Sequence, residues 1–96
     1  GEVIMFYLVC YDIVSDTRRN KVSKLLESYG LRVEKSVFEC VLDEEQYKKI
    51  SKLLMRLVNK REDQVRFYPM SAHTRCKIAV VGTKPEFSID DAAFIV

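Results

Sequence analysis

An acidic residue and two arginines lie close together after the first apolar segment of this chain. Residues 3–11 are almost entirely apolar, the run ends at Asp12, and Arg18 and Arg19 begin six residues later. The end of a strand holds a carboxylate rigidly, and the start of a helix already favours anions through its N–H groups and dipole. A fixed acid beside fixed cations indicates phosphodiester chemistry or nucleic-acid binding.

Asp12 has two interpretations. It is a candidate ligand for Mg²⁺, which binds one or two carboxylates together with waters and substrate phosphates. One carboxylate per chain is few, but a two-fold dimer would bring two copies of Asp12 to one ion. The alternative is a turn residue whose side chain accepts hydrogen bonds from nearby amides.

The basic residues after Asp12 are candidate phosphate ligands. Residues 18–35 hold six basic residues against two acidic ones, whereas residues 84–96 hold one against three. Cations at a helix N-terminus interact unfavourably with the helix dipole, so Arg18, Arg19 and Lys21 are unusual at this position unless they bind a ligand. A solvated helix face remains the alternative. Tyr11, Arg32 and Lys35 are further candidates to line the site.

Three other residue types are weaker candidates for a catalytic or binding role. Phe38 is either a base-stacking aromatic or part of the core. His73 is the only histidine, lacks neighbouring metal ligands, and is expected at the surface. The three cysteines are odd in number and form no C-x-x-C pair, which argues against disulfides and zinc and favours a reducing cytoplasm.

The apolar pattern predicts the first half of the fold. Residues 3–11 do not alternate and indicate a central strand covered on both faces. Ser15 or Asp16 caps a helix over residues 17–29, and Gly30 supplies a left-handed C-cap. Residues 31–42 are extended, but their apolar parity switches near residues 36–38, which fits a bulge, a bend or two short strands.

The second half begins with Asp43, followed by Gln46 three residues later, which predicts a helix to about residue 59. Alternation then predicts a strand over residues 65–70, and Pro69 either makes it an edge strand or ends it. The remaining segments are a turn at 71–75, a strand at 76–81, a loop at 84–91 and a short strand at 92–96.

The element order is the β-α-β-β-α-β pattern of ferredoxin-like α+β folds, in one domain over residues 1–96. The C-terminal strand residues exceed what that fold needs and are expected to pair with a second subunit. An apolar fraction of 48% also favours a homodimer. No signal peptide is visible, and the apolar runs are shorter than a membrane span, so we expect a cytoplasmic protein without membrane contact.

Several segments, in this order and at this length, resemble the CRISPR-associated protein 2 family. The resemblance covers nearly the whole chain. It rests on the first strand ending in Tyr11-Asp12, the helix start at residues 18–22, the helix stop at residues 29–31, and the segments at 35–40 and 65–69.

The resemblance implies a ferredoxin-like homodimer that holds Mg²⁺ between two copies of Asp12. It implies endonuclease activity on single-stranded RNA or double-stranded DNA, and association with the CRISPR-associated protein 1 integrase during spacer acquisition. The alternative that it also implies is a non-catalytic adaptor that holds DNA for the integrase. The expected catalytic residues are Asp12, Arg19 and Phe38, and the expected nucleic-acid-binding residues are Tyr11, Arg18, Arg19, Lys21 and Arg32.

Overall fold

The computed structural model describes residues 3–83, which form four strands and three helices. They follow one another as β1 (Ile4–Asp12), α1 (Asp16–Glu27), β2 (Gly30–Glu34), β3 (Val37–Asp43), α2 (Glu44–Leu57), β4 (Gln64–Met70) and α3 (Ala72–Arg75). The predicted element order over the first six is confirmed, with the extended segment divided into β2 and β3. The predicted segments at 84–91 and 92–96 lie outside the described residues.

All strand pairs in the sheet are antiparallel, and the strand order is β2-β3-β1-β4. β1 is central, as its unbroken apolar run predicted, and β4 with Pro69 lies at an edge. The parity switch has a physical cause, since a turn separates β2 from β3 and their register is irregular between Arg32 and Glu34. This is the ferredoxin-like arrangement.

Local sequence signals begin both long helices. The Ser15 hydroxyl accepts a hydrogen bond from the Arg18 N–H at 3.3 Å and caps α1. At α2, Asp43 and Gln46 form a complete capping box, with reciprocal hydrogen bonds of 2.7 and 3.0 Å. Replacing such an N-cap by alanine typically costs about 1 kcal/mol.

α1 and α2 pack on one face of the sheet and enclose the core. The core takes the odd-numbered residues of β1 and the even-numbered residues of β3, because successive side chains in a strand point to opposite faces. Its buried members are Val9, Tyr11, Ile13, Val22, Leu26, Phe38, Cys40, Leu42, Ile50 and Leu54. Burial raises the pKa of the Cys40 thiol to about 12, which makes it a small apolar residue here.

The opposite face carries neither of the long helices, α1 and α2, and in that sense we call it the helix-free face. It takes the even-numbered residues of β1, which end at Asp12. Phe6 on this face is buried, with the Arg75 guanidinium 4.7 Å from the centre of its ring. Tyr68 on the adjoining edge strand is 43% exposed.

Gly30 does not have the predicted left-handed conformation. The only glycine with positive φ in residues 3–83 is Gly82, and α1 ends instead at Ser28 in right-handed geometry. Gly30 begins β2 and packs against β3, where an added Cβ would overlap the Glu39 carbonyl oxygen and lie 2.5 Å from Cys40 Sγ. The glycine is needed for close approach of two strands, not for its backbone angles.

The predicted turn at 71–75 is wrong, and no strand forms at 76–81 within the single chain, so the pairing of this segment with a second subunit stays a prediction. Residues 72–75 form the one-turn helix α3, residues 76–77 form a turn, and residues 78–81 pair with no strand within residues 3–83. An apolar, β-branched segment forms a strand only where it meets a free sheet edge. Ile78, Val80 and Val81 are consequently exposed in the single chain, by 44%, 46% and 100%.

Across residues 3–83, no helix is both long enough and apolar enough to cross a membrane.

Candidate metal and nucleic-acid site

Asp12 is the last residue of β1 and its side chain is exposed. It lies opposite Gln64 in the β1–β4 ladder, at the end of the helix-free face. The ladder of β1 with β3 ends at Cys10, so at Asp12 the backbone is held by its pairing with β4. Within residues 3–83, no three His, Cys, Asp or Glu residues are grouped closely enough to hold a metal. One chain thus offers fewer than three such ligands at this position.

The turn after Asp12 is held by side chains. The Arg19 guanidinium donates to the Ile13 carbonyl oxygen at 2.8 and 3.2 Å and to the Val14 carbonyl oxygen at 3.2 Å. It also forms an ion pair with Asp16. Arg19 therefore supports the turn that follows Asp12, and most of its donors are already used.

Arg18 is also bound within the chain. It donates to both carboxylate oxygens of Asp63, at 2.7 and 3.2 Å, and to Glu62 at 2.9 Å. The Asp63 side chain is fully buried, while that of Arg18 is 27% exposed. Lys21, by contrast, is exposed on α1.

Asp63 is a site residue that the sequence did not indicate. The Arg18 hydrogen bond holds the pKa of the Asp63 carboxyl well below its usual range, against burial, with help from the N–H groups of Asn59 and Val14. The same contact raises the pKa of Arg18. The sequence shows only a polar connection before β4, because Val14 in the β1–α1 turn and Arg18 in α1, which bind Asp63, are more than 40 residues away.

Tyr11, Arg32 and Phe38 meet at the turn between β2 and β3. The Tyr11 hydroxyl donates to the Lys35 carbonyl oxygen at 3.0 Å, and Arg32 donates to the same oxygen at 2.6 Å. Phe38 is 0% exposed, stacks with Tyr11 at 6.3 Å between ring centres, and has the Arg32 guanidinium 4.9 Å from its ring centre.

These placements bear on the predicted roles. Phe38 and Tyr11 are core residues here, so neither ring presents a surface on which a base can stack. Arg32 is exposed but is also held by Ser23 and Glu27, the latter at 3.0 Å. Apart from Lys21, the predicted residues lie at or next to the end of β1, in contact with the β1–α1 turn or the β2–β3 turn. Most of them support the two turns that flank Asp12.

The fold and this geometry define a ferredoxin-like α+β protein with an exposed carboxylate at a strand end, flanked by two turns that arginines stabilise. The family model described as CRISPR associated protein Cas2 matches residues 5–78. The chain belongs to that family.

Curated relatives share between 32% and 46% of their aligned residues with this chain. A protein of Synechocystis sp. named CRISPR-associated endoribonuclease Cas2 3 is 42% identical over 82 residues, which cover 85% of this chain and 89% of the relative. A protein of Thermus thermophilus named CRISPR-associated endonuclease Cas2 2 is 44% identical over 80 residues, covering 83% and 87%.

Solved structures agree with the fold. The crystal structure of Streptococcus pyogenes Cas2 at pH 6.5 superposes with a TM-score of 0.74 at 30% identity, covering 81% of this chain and all of that one. A chain in a structure described as a partial Cas6-RT-Cas1–Cas2 complex has a TM-score of 0.71 at 26% identity, covering 88% and 98%.

Proposed function

We propose that this protein is a metal-dependent endonuclease of CRISPR adaptation, which hydrolyses phosphodiester bonds in RNA or DNA and acts with the Cas1 integrase. The observation that carries the proposal is Asp12, exposed at a rigid strand end, in a chain of the Cas2 family. Relatives named endoribonuclease or endonuclease support the reaction class. The solved complex that contains Cas1 and Cas2 supports the partner.

The working unit in this proposal is a homodimer. The helix-free face leaves Tyr68 partly exposed, and residues 78–81 expose apolar side chains without a strand partner in residues 3–83. A second copy packed on this face would cover apolar surface and bring a second Asp12 near the first. Light scattering after size exclusion should give twice the chain mass. A measured mass of one chain would contradict a metal site shared between two copies of Asp12.

Asp12 fits a divalent cation such as Mg²⁺ when two chains each contribute one copy. An exposed carboxylate from each of two chains meets the preference of Mg²⁺ for few protein ligands with waters and phosphate oxygens. A bound cation of this kind activates water and neutralises charge on the phosphate. The chain's own contribution is to fix the Asp12 backbone through β1 and to hold the flanking turns with Arg19 and Arg32.

The test compares Asp12→Asn with the parent on single-stranded RNA and double-stranded DNA, with Mg²⁺ and with chelator. Losing an interaction that stabilises the transition state should lower cleavage on the order of 100-fold or more. Glu45→Gln is the control, because Glu45 is an exposed acid on α2, which begins beside the opposite end of β1. Equal cleavage by Asp12→Asn and the parent would remove the mechanism.

The second candidate function is a DNA-holding adaptor for the integrase, without catalysis. Its support is a set of basic residues that are exposed on the helices while Arg18 and Arg19 are bound within the chain. They are Lys21 and Lys24 on α1 and Lys48, Lys49, Lys52 and Arg56 on α2, of which Lys48 also forms an exposed ion pair with Glu44.

The adaptor predicts duplex binding that weakens steeply with salt and survives Asp12→Asn. Absence of binding at low salt would exclude it. Cleavage that depends on Asp12 would favour the nuclease, whether or not the protein also holds DNA.

A further inference from the structure

Three backbone polar groups in the turn between β1 and α1 form hydrogen bonds with side chains. One binds Asp63, which is distant in the sequence, and two bind Arg19 of α1. The Val14 N–H donates to Asp63 Oδ1 at 3.1 Å, and Arg19 binds the carbonyl oxygens of Ile13 and Val14. Backbone groups in such a turn normally bind water and leave the turn free to move. Here side-chain contacts fix its conformation.

Asp63 is the centre of this arrangement. Its Oδ1 accepts from Val14 N at 3.1 Å and from Arg18 at 3.2 Å, and its Oδ2 accepts from Arg18 Nε at 2.7 Å and from Asn59 N at 2.8 Å. Each carboxylate oxygen thus accepts two hydrogen bonds, which fills its acceptor capacity. We call Val14, Arg18, Asn59 and Asp63 the Asp63 cluster.

The Asp63 cluster lies beside the candidate catalytic carboxylate. Gln64, the next residue after Asp63, is opposite Asp12 in the β1–β4 ladder. Asp63 therefore joins the start of β4 to the second residue after Asp12. The turn at residues 13–15 is joined to Asp12 directly through Ile13, so a change in the turn acts on the last residue of β1, where pairing with β3 has already ended.

We propose that Asp63 is a positioning residue, which acts through Val14 and Arg18 to fix the β1–α1 turn and with it the direction of the Asp12 carboxylate. In this role Arg18 is a ligand of Asp63 and not of phosphate. The inference about Asp12 rests on the proposed nuclease function, whereas the fixation of the turn and the role of Arg18 do not.

The contacts of Arg18 decide between its two roles. The Arg18 guanidinium contacts both oxygens of the buried Asp63 carboxylate in a planar two-point arrangement. A phosphate that bound Arg18 would have to replace both contacts. If Arg18 moved away from Asp63, the buried carboxylate would remain without its counter-charge, which is strongly unfavourable. Glu62 occupies a further donor on the exposed side.

The first test is Asp63→Asn, which keeps the size of the side chain but replaces one acceptor oxygen with a donor that faces N–H groups. Glu62→Gln is the control, because it removes the other, exposed acid on Arg18 without touching Val14. Amide exchange at Val14 should become at least about tenfold faster in Asp63→Asn and stay within about twofold of the parent in Glu62→Gln. The core amide of Val9 reports whether the variant is folded.

Function provides a second readout. Altering a group that orients a metal ligand typically lowers metal affinity or activity by roughly 10–100-fold. We expect Asp63→Asn to weaken Mn²⁺ binding, used as the probe ion, and to lower kcat by that factor with KM nearly unchanged. An equal loss in Glu62→Gln, or unchanged exchange at Val14, would overturn the proposal. If Asp63→Asn does not fold, Arg18→Lys keeps the charge but loses the two-point contact and takes its place.

The third test separates Arg18 from the phosphate ligands. A residue that binds one phosphate lowers the salt slope of nucleic-acid binding by about 1 when it is neutralised. Arg18→Gln should leave the slope unchanged, whereas Lys21→Gln, on an exposed lysine of the same helix, should reduce it. A reduced slope for Arg18→Gln would refute its assignment to the Asp63 cluster.

These outcomes separate the two proposals. If the parent binds no Mn²⁺ and cleaves nothing, the proposed nuclease function fails, and amide exchange at Val14 and the salt slope of Arg18→Gln still decide the role of Asp63. If Asp12→Asn abolishes cleavage but Asp63→Asn behaves as the parent, the nuclease function stands and the positioning role fails.

Discussion

Replacing Phe38 tests whether this residue is catalytic, as the family resemblance implied, or structural, as its position indicates. Its ring is 0% exposed, stacks with Tyr11 and lies under the Arg32 guanidinium. Truncating a fully buried phenylalanine to alanine costs about 3–5 kcal/mol. Since 1 kcal/mol shifts the Tm of a domain of this size by roughly 4–8 °C, we expect Phe38→Ala to lower the Tm by about 12–40 °C.

A second variant keeps the test informative if the alanine variant unfolds. Phe38→Leu removes three buried carbons, which costs about 2 kcal/mol at ~0.8 kcal/mol per methylene. Such a loss should leave the protein folded at 20 °C, because domains of this size have stabilities of about 5–14 kcal/mol. Leucine has no aromatic ring, so this variant removes any stacking while it retains most of the packing.

The assay measures cleavage and single-stranded RNA affinity per folded molecule, alongside thermal unfolding by circular dichroism. A structural Phe38 predicts that Phe38→Leu changes both by less than about threefold at 20 °C. A base-stacking Phe38 predicts weaker RNA binding by ~5–150-fold, since each stacked base contributes about 1–3 kcal/mol. Weakened RNA binding by Phe38→Leu, with a Tm close to that of the parent, would refute the structural argument.

Three further predictions follow from the backbone and its side-chain contacts. Gly30→Ala places a Cβ against the Glu39 carbonyl oxygen and should destabilise the protein by about 1–3 kcal/mol in urea unfolding, and no loss would show that β2 can move away from β3. Asp43→Ala removes the capping box and should cost about 1 kcal/mol, or a Tm decrease of ~4–8 °C; an unchanged Tm would mean that tertiary packing alone holds α2. Folding lowers the pKa of Asp63, so the ionised carboxylate stabilises the fold above pH ~3.8, the pKa of this group in the unfolded chain. This stabilisation declines as the pH falls below ~3.8 toward the pKa in the folded protein. The stability of Asp63→Asn should therefore depend less steeply on pH in that range than the stability of the parent. Equal slopes for the two proteins would contradict the assigned cause.

Features that depend on a few neighbouring residues were predictable. Asp43 and Gln46 start α2 as expected, Ser15 caps α1, and the unbroken apolar run of β1 indicated a central strand. Pro69 indicated that β4 either lies at an edge or ends there, and the structure places β4 at an edge. In each case the partner groups are close in the sequence, or the pattern reports burial directly.

Features that depend on a distant partner were not predictable. Gly30 looked like a helix C-cap until its contact with the Glu39 carbonyl oxygen gave it another reason to be glycine. For Phe38 the sequence left base stacking and the core as alternatives, and the packing of β3 against the helices places it in the core. The apolar residues at 76–81 looked like a strand, but strands require a free edge as well as a suitable composition.

The sequence by itself determined the ferredoxin-like order of elements and placed Asp12 at the end of the first strand, because periodicity and capping act over short distances. The tertiary structure decided which of the nearby side chains are available to a ligand. It buries Tyr11 and Phe38, uses Arg19 to hold the turn after Asp12, and binds Arg18 to Asp63. A carboxylate at residue 63 acquires its importance only when β4 brings it beside β1, since hydrogen bonds depend on distance in space and not on separation along the chain.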